Sequence, residues 1–186
     1  MSDLGELVAQ LQDEAEGAKL AAIATLTQQV NDAYGADAAF LAEQLRAHGG
    51  VMVLVGMLDD PVADVQQCAM SVLGNLLTNI FEPNAAQSLS LFDECGGMSR
   101  LVGQLSMEYP HNLYAAACMQ NVTALDPDRC CVTLKQLGAP EILQQLCSES
   151  AESDGQANIP HPPRNPKAAC AGPWPPLRAS GVHRTP

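Results

Sequence analysis

Two residues in the middle of the chain have types and a spacing that can do covalent chemistry. His111 opens a helical segment and Cys118 follows seven residues on, so both fall on one helical face. A thiol beside an imidazole is the pairing of a nucleophile with its base. It also needs a group to orient the imidazole and donors for an oxyanion, and the sequence indicates neither. Cys130, Cys131 and His111 lack the spacing of a metal chelate, and no C-x-x-C occurs among the seven cysteines. The cysteines lie mostly inside helical patterns, where a small apolar residue fits. That reads as buried, reduced thiols in a cytoplasmic or nuclear protein. Asn121-Val122-Thr123 spells a glycosylation acceptor, but it lies within a helical segment. The opening MSDLGELVAQ has acids where a secretory signal needs bases. No catalytic residue, metal ligand or cofactor site is expected, so an enzyme is not the expectation.

Charge narrows the partners. Residues 1–147 hold 5 basic and 18 acidic residues, while 148–186 hold 4 and 3. An acidic body repels a phosphate backbone and an anionic bilayer alike, which disfavours nucleic acid and membrane as partners. The longest apolar stretch, Val51 to Leu58, is too short to span a membrane. Asp59, Asp60 and Asp64 form an acidic turn that reads as solvated, with docking of a basic partner as the other reading. His48 precedes Gly49-Gly50, where a cation favours the end of a helix dipole.

The elements that must position these residues come from an internal repeat. Hydrophobic residues make up 47% of the chain and aromatics 4%, a composition suited to stacked helices packed through small side chains. Gly49–Leu58 and Gly96–Leu105 superpose at an offset of 47, matching Leu54, Val55, Gly56 and Leu58 with Leu101, Val102, Gly103 and Leu105. The Ala-rich segments after them superpose at 46, matching Ala69 with Ala115 and Asn75 with Asn121. Backwards by 47, Leu7, Val8 and Leu11 recur; forwards by 41, Gly138, Ile142, Leu143 and Leu146 do. Each full unit reads as three helices. The first ends at Gly-Gly, where the chain turns sharply, often through positive φ. The middle copies place them at about 37–48, 50–58 and 62–79, then 85–95, 97–106 and 111–125.

The pattern G-G-x-x-x-L-V-x-x-L, a turn, and a helix ending in L-x-N-L resembles the armadillo repeat. It is carried by Gly49–Leu58 with Leu73-Gly-Asn-Leu, and by Gly96–Leu105 with Met119-Gln-Asn-Val. The resemblance spans about residues 4–147. It implies an all-α, right-handed solenoid whose third helices line a concave groove. It implies too that Asn75 and Asn121 bind the main chain of a partner, since an amide offers both a donor and an acceptor. By the same offset the first copy offers Gln28. Import adaptors of this family place a Trp four residues before that Asn. Here Ser71 and Ala117 stand there, and the single Trp is Trp174. The expected function is therefore a scaffold or adaptor holding an extended or helical protein segment, one rich in basic residues given the acidic body. The alternatives are a chaperone cofactor gripping a folded ATPase domain and, behind it, an import adaptor.

The expected organisation is a repeat domain over 1–147, with copies at about 4–34, 36–79, 85–125 and a partial 128–147. The first lacks its leading helix and the fourth its third. Residues 148–186 have no helical period and many prolines, a composition that predicts disorder. Within them Pro173-Trp-Pro-Pro-Leu-Arg has the P-x-x-P-x-R spacing that polyproline-reading domains accept. Ending the array early leaves Ile142, Leu143 and Leu146 without a covering helix, an edge expected to self-associate or to recruit a partner helix.

Overall fold

The computed structural model describes residues 3–13 and 15–154, with side chains through Ser148. Among these residues all regular structure is helical. The elements are α1 Leu4–Gln10, α2 Glu16–Asp32, α3 Ala36–Ala47, α4 Gly50–Gly56 (continued by a 3-10 turn, Met57–Asp59) and α5 Ala63–Leu76. They are followed by α6 Ala85–Glu94, α7 Gly97–Leu105, α8 His111–Leu125, α9 Pro127–Gln136 and α10 Ala139–Asp154.

Two glycines make the corner between the first and second helices, and each has its own reason. Gly49 and Gly96 sit at φ 72, in the left-handed region where a side chain is strained. The next glycine is needed for closeness. A Cβ on Gly97 would lie 2.4 Å from Phe92 Cε2, and one on Gly50 would lie 2.9 Å from Leu45 Cδ2. In the fourth copy Gly138, at φ 77, takes the left-handed place and Ala139 the close one. This corrects the register read from sequence. Gly138 is the counterpart of Gly96 rather than of Gly97, so Leu143 stands where Leu54 and Leu101 stand.

Helices α2, α5 and α8 pack side by side along the array, with α7 against α8 and α4 against α6. The middle third helix, α5, is buried on nearly every face, from Val65 through Cys68, Ala69, Met70, Val72, Leu73 and Leu76. Ala69 and Gly74 are buried on α5, and Ala115 on α8 matches Ala69, small residues that let the axes approach. Each buried Leu of the core contributes about 1.5–3 kcal/mol over leaving it exposed. The chain is an all-α solenoid in which each copy completes its core with its neighbour's side chains.

Ion pairs join the copies. Lys19 on α2 reaches Asp60 at 2.5 Å, and Arg100 on α7 pairs with Asp59. The acidic turn is therefore not simply solvated. Asp60 is buried, and its Oδ1 also accepts the Val62 N–H at 2.9 Å. Arg46 on α3 reaches Glu82 at 2.5 Å and the Ser88 hydroxyl at 2.9 Å; Arg129 on α9 reaches Asp93 at 2.9 Å.

The far end departs from expectation. Helix α10 continues past Cys147 to Asp154, so residues 148–154 belong to the helical part and not to the tail. Once nucleated, a helix extends cheaply, and Glu149, Ala151 and Glu152 are good helix formers that outweigh the intervening serines. Ile142, Leu143 and Leu146 are half-buried and pack against the core from one side. The expected disorder of the remaining tail, and its P-x-x-P-x-R segment, lie outside the described residues.

Candidate functional site

Asn75 lies one residue before the end of α5, and Asn121 near the end of α8; both are half-buried. The Nδ2 of Asn75 donates to the Ser71 carbonyl of its own helix at 3.1 Å. The Nδ2 of Asn121 donates across to α5, to the Gly74 carbonyl at 2.8 Å. That second bond ties the third helices of adjacent copies together. Each amide keeps a second N–H and its Oδ1, which no described residue engages, and these are the two groups that read a peptide bond.

The two amides line one cavity of about 330 Å3 at the C-terminal ends of α2, α5 and α8. Val30, Thr78 and Phe81 share its wall. Tyr34 and Ile80 stand at its mouth, 79% and 97% exposed. Gln28 is not brought to this cavity. It is exposed, and its Nε2 donates to Asp32 Oδ2 one turn on, at 2.8 Å. The longer side chain folds along its own helix instead of pointing into the space the asparagines share.

A second cavity of about 260 Å3 adjoins the first, with Ala33 common to both. Its lining includes Asp32, Asp37 and the half-exposed ring of Phe40. Two carboxylates beside an aromatic ring suit a cationic side chain, through charge and through the face of the ring. Sequence reasoning missed Tyr34, Phe40 and Ile80. For Tyr34 and Ile80 the available signal was a bulky side chain beside turn residues, as in Asn31-Asp-Ala-Tyr-Gly35 and Thr78-Asn-Ile-Phe-Glu-Pro83, where no helical face claims it; Phe40 lies within α3 and carried no such signal.

Electrostatics reinforces this. The five basic residues of 1–147 are Lys19, Arg46, Arg100, Arg129 and Lys135, and the first four are bound in ion pairs between copies. Most of the eighteen carboxylates are left without such a partner, so the outer surface is anionic. Burial raises the Asp93 carboxyl above the ordinary aspartate range, with Arg129 pulling it back and Asp126 adding to the rise.

The surroundings of Cys118 disfavour the thiolate that a nucleophile would need. Burial pushes the Cys118 thiol up to about 12, away from thiolate, and its Sγ lies 3.1 Å from the Met70 carbonyl. His111 is buried, and its Nε2 has no partner among the described residues. Cys95, Cys118, Cys130, Cys131 and Cys147 carry free thiols, Cys131 and Cys147 exposed; Cys68, also buried, is outside this free set. Among the described residues no cluster of three or more His, Cys, Asp or Glu is arranged to hold a metal ion. No described helix is long and apolar enough to cross a membrane.

No family model and no curated protein matches the chain. Solved structures do. An engineered protein superposes with a TM-score of 0.65 at 24% identity, over 78% of this chain and 55% of its own. A designed armadillo repeat protein gives 0.64 at 22%, over 78% and 57%. Another designed armadillo repeat protein, solved in complex with the peptide (KR)4, gives 0.63 at 21%, over 78% and 56%. The chain spans little more than half the length of these structures. At such identities the likeness is one of fold, and the fold is armadillo-like.

Proposed function

We propose that this chain is a protein-interaction scaffold that binds an extended, Lys- or Arg-containing segment of a partner across the C-terminal ends of α2, α5 and α8. The observation that carries the reading is that Asn75 and Asn121, from successive copies, meet in one cavity with unengaged amide groups and exposed apolar side chains at its mouth. The asparagines hold the partner's main chain. Tyr34 and Ile80 cover its apolar stems, and the adjoining cavity with Asp32, Asp37 and Phe40 accepts a basic side chain. The anionic surface speeds the encounter. The peptide carried by one designed structural neighbour, (KR)4, has the same chemistry and is a fitting first probe.

The test is titration of fluorescent (KR)4 and of an acidic control peptide into the full chain, with and without Asn75→Ala and Asn121→Ala together. The basic peptide should bind better, and the double substitution should weaken it by about 1–3 kcal/mol. Rising ionic strength should slow association. Because Asn121 also braces α8 to α5, helical content is measured alongside. An unchanged affinity in a folded double variant, or preference for the acidic peptide, refutes the reading.

A further inference from the structure

The two adjoining cavities differ in what they can neutralise. Asp32 and Asp37 line the smaller, and neither has a cationic partner among the described residues. The larger, of about 330 Å3, has no charged side chain among the described residues that line it. Asn75 and Asn121 offer it their amides, and Val30, Tyr34, Ile80 and Phe81 supply its apolar wall. A Lys or Arg head drawn into that space would lose water and gain no counter-charge, which is costly. A large apolar side chain there would instead cover Tyr34 and Ile80 and take its own surface out of water.

The spacing between the cavities follows from Ala33, which belongs to both. Ala33 caps α2 in an extended conformation, with Asp32 of the smaller cavity before it and Tyr34 of the larger after it. The Cα atoms of Asp32 and Tyr34 therefore stand about 6.6 Å apart, at ~3.3 Å per extended residue. In an extended partner, residues i and i+2 are separated by the same distance, and their side chains point to one face. The residue between them points to the other face. One segment can thus put a cation in the first cavity and its next-but-one side chain in the second.

We propose that the partner segment carries one Lys or Arg and, two residues from it, one large apolar side chain. The cation sits with Asp32, Asp37 and Phe40, and the apolar group lies against Tyr34, Ile80 and Phe81. This rests on the scaffold reading above and narrows its ligand from a basic segment to a mixed one. In (KR)4 every residue is a cation, so the side chain that faces the uncharged cavity is one too. A basic run of that kind satisfies only half of the site.

Two fluorescent peptides of one composition test this against the full chain. Each has a single Arg in a Ser-Gly background, one with Leu-Ser-Arg-Ser-Leu at its centre and the other with Ser-Leu-Arg-Leu-Ser. The first puts Leu on the same face as Arg, and the second puts it on the opposite face. The first should bind about tenfold or more tightly than the second. Tyr34→Ser with Ile80→Ser should abolish that preference, while Asp32→Asn with Asp37→Asn should weaken both peptides alike. Tyr34 and Ile80 are exposed, and circular dichroism checks that the helices persist without them. Equal binding of the two peptides overturns the mixed motif, as does a preference that survives Tyr34→Ser with Ile80→Ser. Equal binding that still needs Asn75 and Asn121 leaves the scaffold reading standing without the motif. If neither peptide binds and (KR)4 does not bind either, both fall together.

Discussion

Removing Arg46 tests most directly how the copies are held together. Its guanidinium lies under Glu82 and Ser88, with side-chain exposures of 8% for Arg46 and 0% for Glu82. The Ser88 hydroxyl accepts from Arg46 at 2.9 Å and donates to Glu82 Oε1 at 2.9 Å, and Glu82 Oε2 has no partner among the described residues. Arg46→Met leaves a buried carboxylate with one hydroxyl in place of a cation. Breaking a buried pair in this way costs about 3–5 kcal/mol, mostly for stranding the remaining charge. Domains of this size are stable by about 5–15 kcal/mol in total. With a urea slope of about 1–3 kcal/mol per M, the midpoint should fall by roughly 2 M, followed by far-ultraviolet circular dichroism. Adding Glu82→Leu should recover much of the loss, because the stranded charge goes with it. The exposed pair of Arg100 with Asp59 is the control, and Arg100→Ala should cost less than about 1 kcal/mol. A loss below about 1 kcal/mol for Arg46→Met, or a double variant no better than the single, refutes the account.

The glycines separate two roles within one helix. Gly97→Ala meets the Phe92 ring and should cost about 1–3 kcal/mol, while Gly103→Ala, with nothing within 4 Å, should stabilise by about 0.5–1 kcal/mol in thermal or urea unfolding. Equal effects at the two positions would contradict the packing described. For the thiols, iodoacetamide at pH 8 should label exposed Cys131 and Cys147 in the native chain. Cys118, buried and pushed up to about 12, should wait for denaturant. Peptide mapping that finds Cys118 labelled as fast as Cys131 would contradict its burial.

The helices were legible because their signals are local. Gly49-Gly50 and Gly96-Gly97 mark a corner whose first position takes a left-handed φ that favours glycine, and Leu54 and Leu101 repeat the face beyond it. The fourth copy was misregistered by one residue because Ala139 replaces the second glycine, and matching apolar letters at 41 outweighed the backbone geometry of Gly138. The boundary at Cys147 erred for a related reason. Polar composition marks where burial stops, and a helix already nucleated runs on past that point to Asp154.

The candidate site was half legible, and the missing half is non-local. Equivalence by offset singled out Asn75 and Asn121 as candidates, and the fold brings both to one cavity; the same rule named Gln28, whose amide donates to Asp32 instead. No period links Lys19 to Asp60 or Arg46 to Glu82, because each pair closes only when one copy stacks on the next. Those pairs also decide the character of the surface. A body with five cations that commits four of them to its internal joints has almost none left to screen its outer carboxylates. The anionic surface on which the proposed preference for a basic partner rests thus follows from how the copies are joined. Freeing Arg46 or Lys19 would weaken the joints and strand the carboxylates they hold.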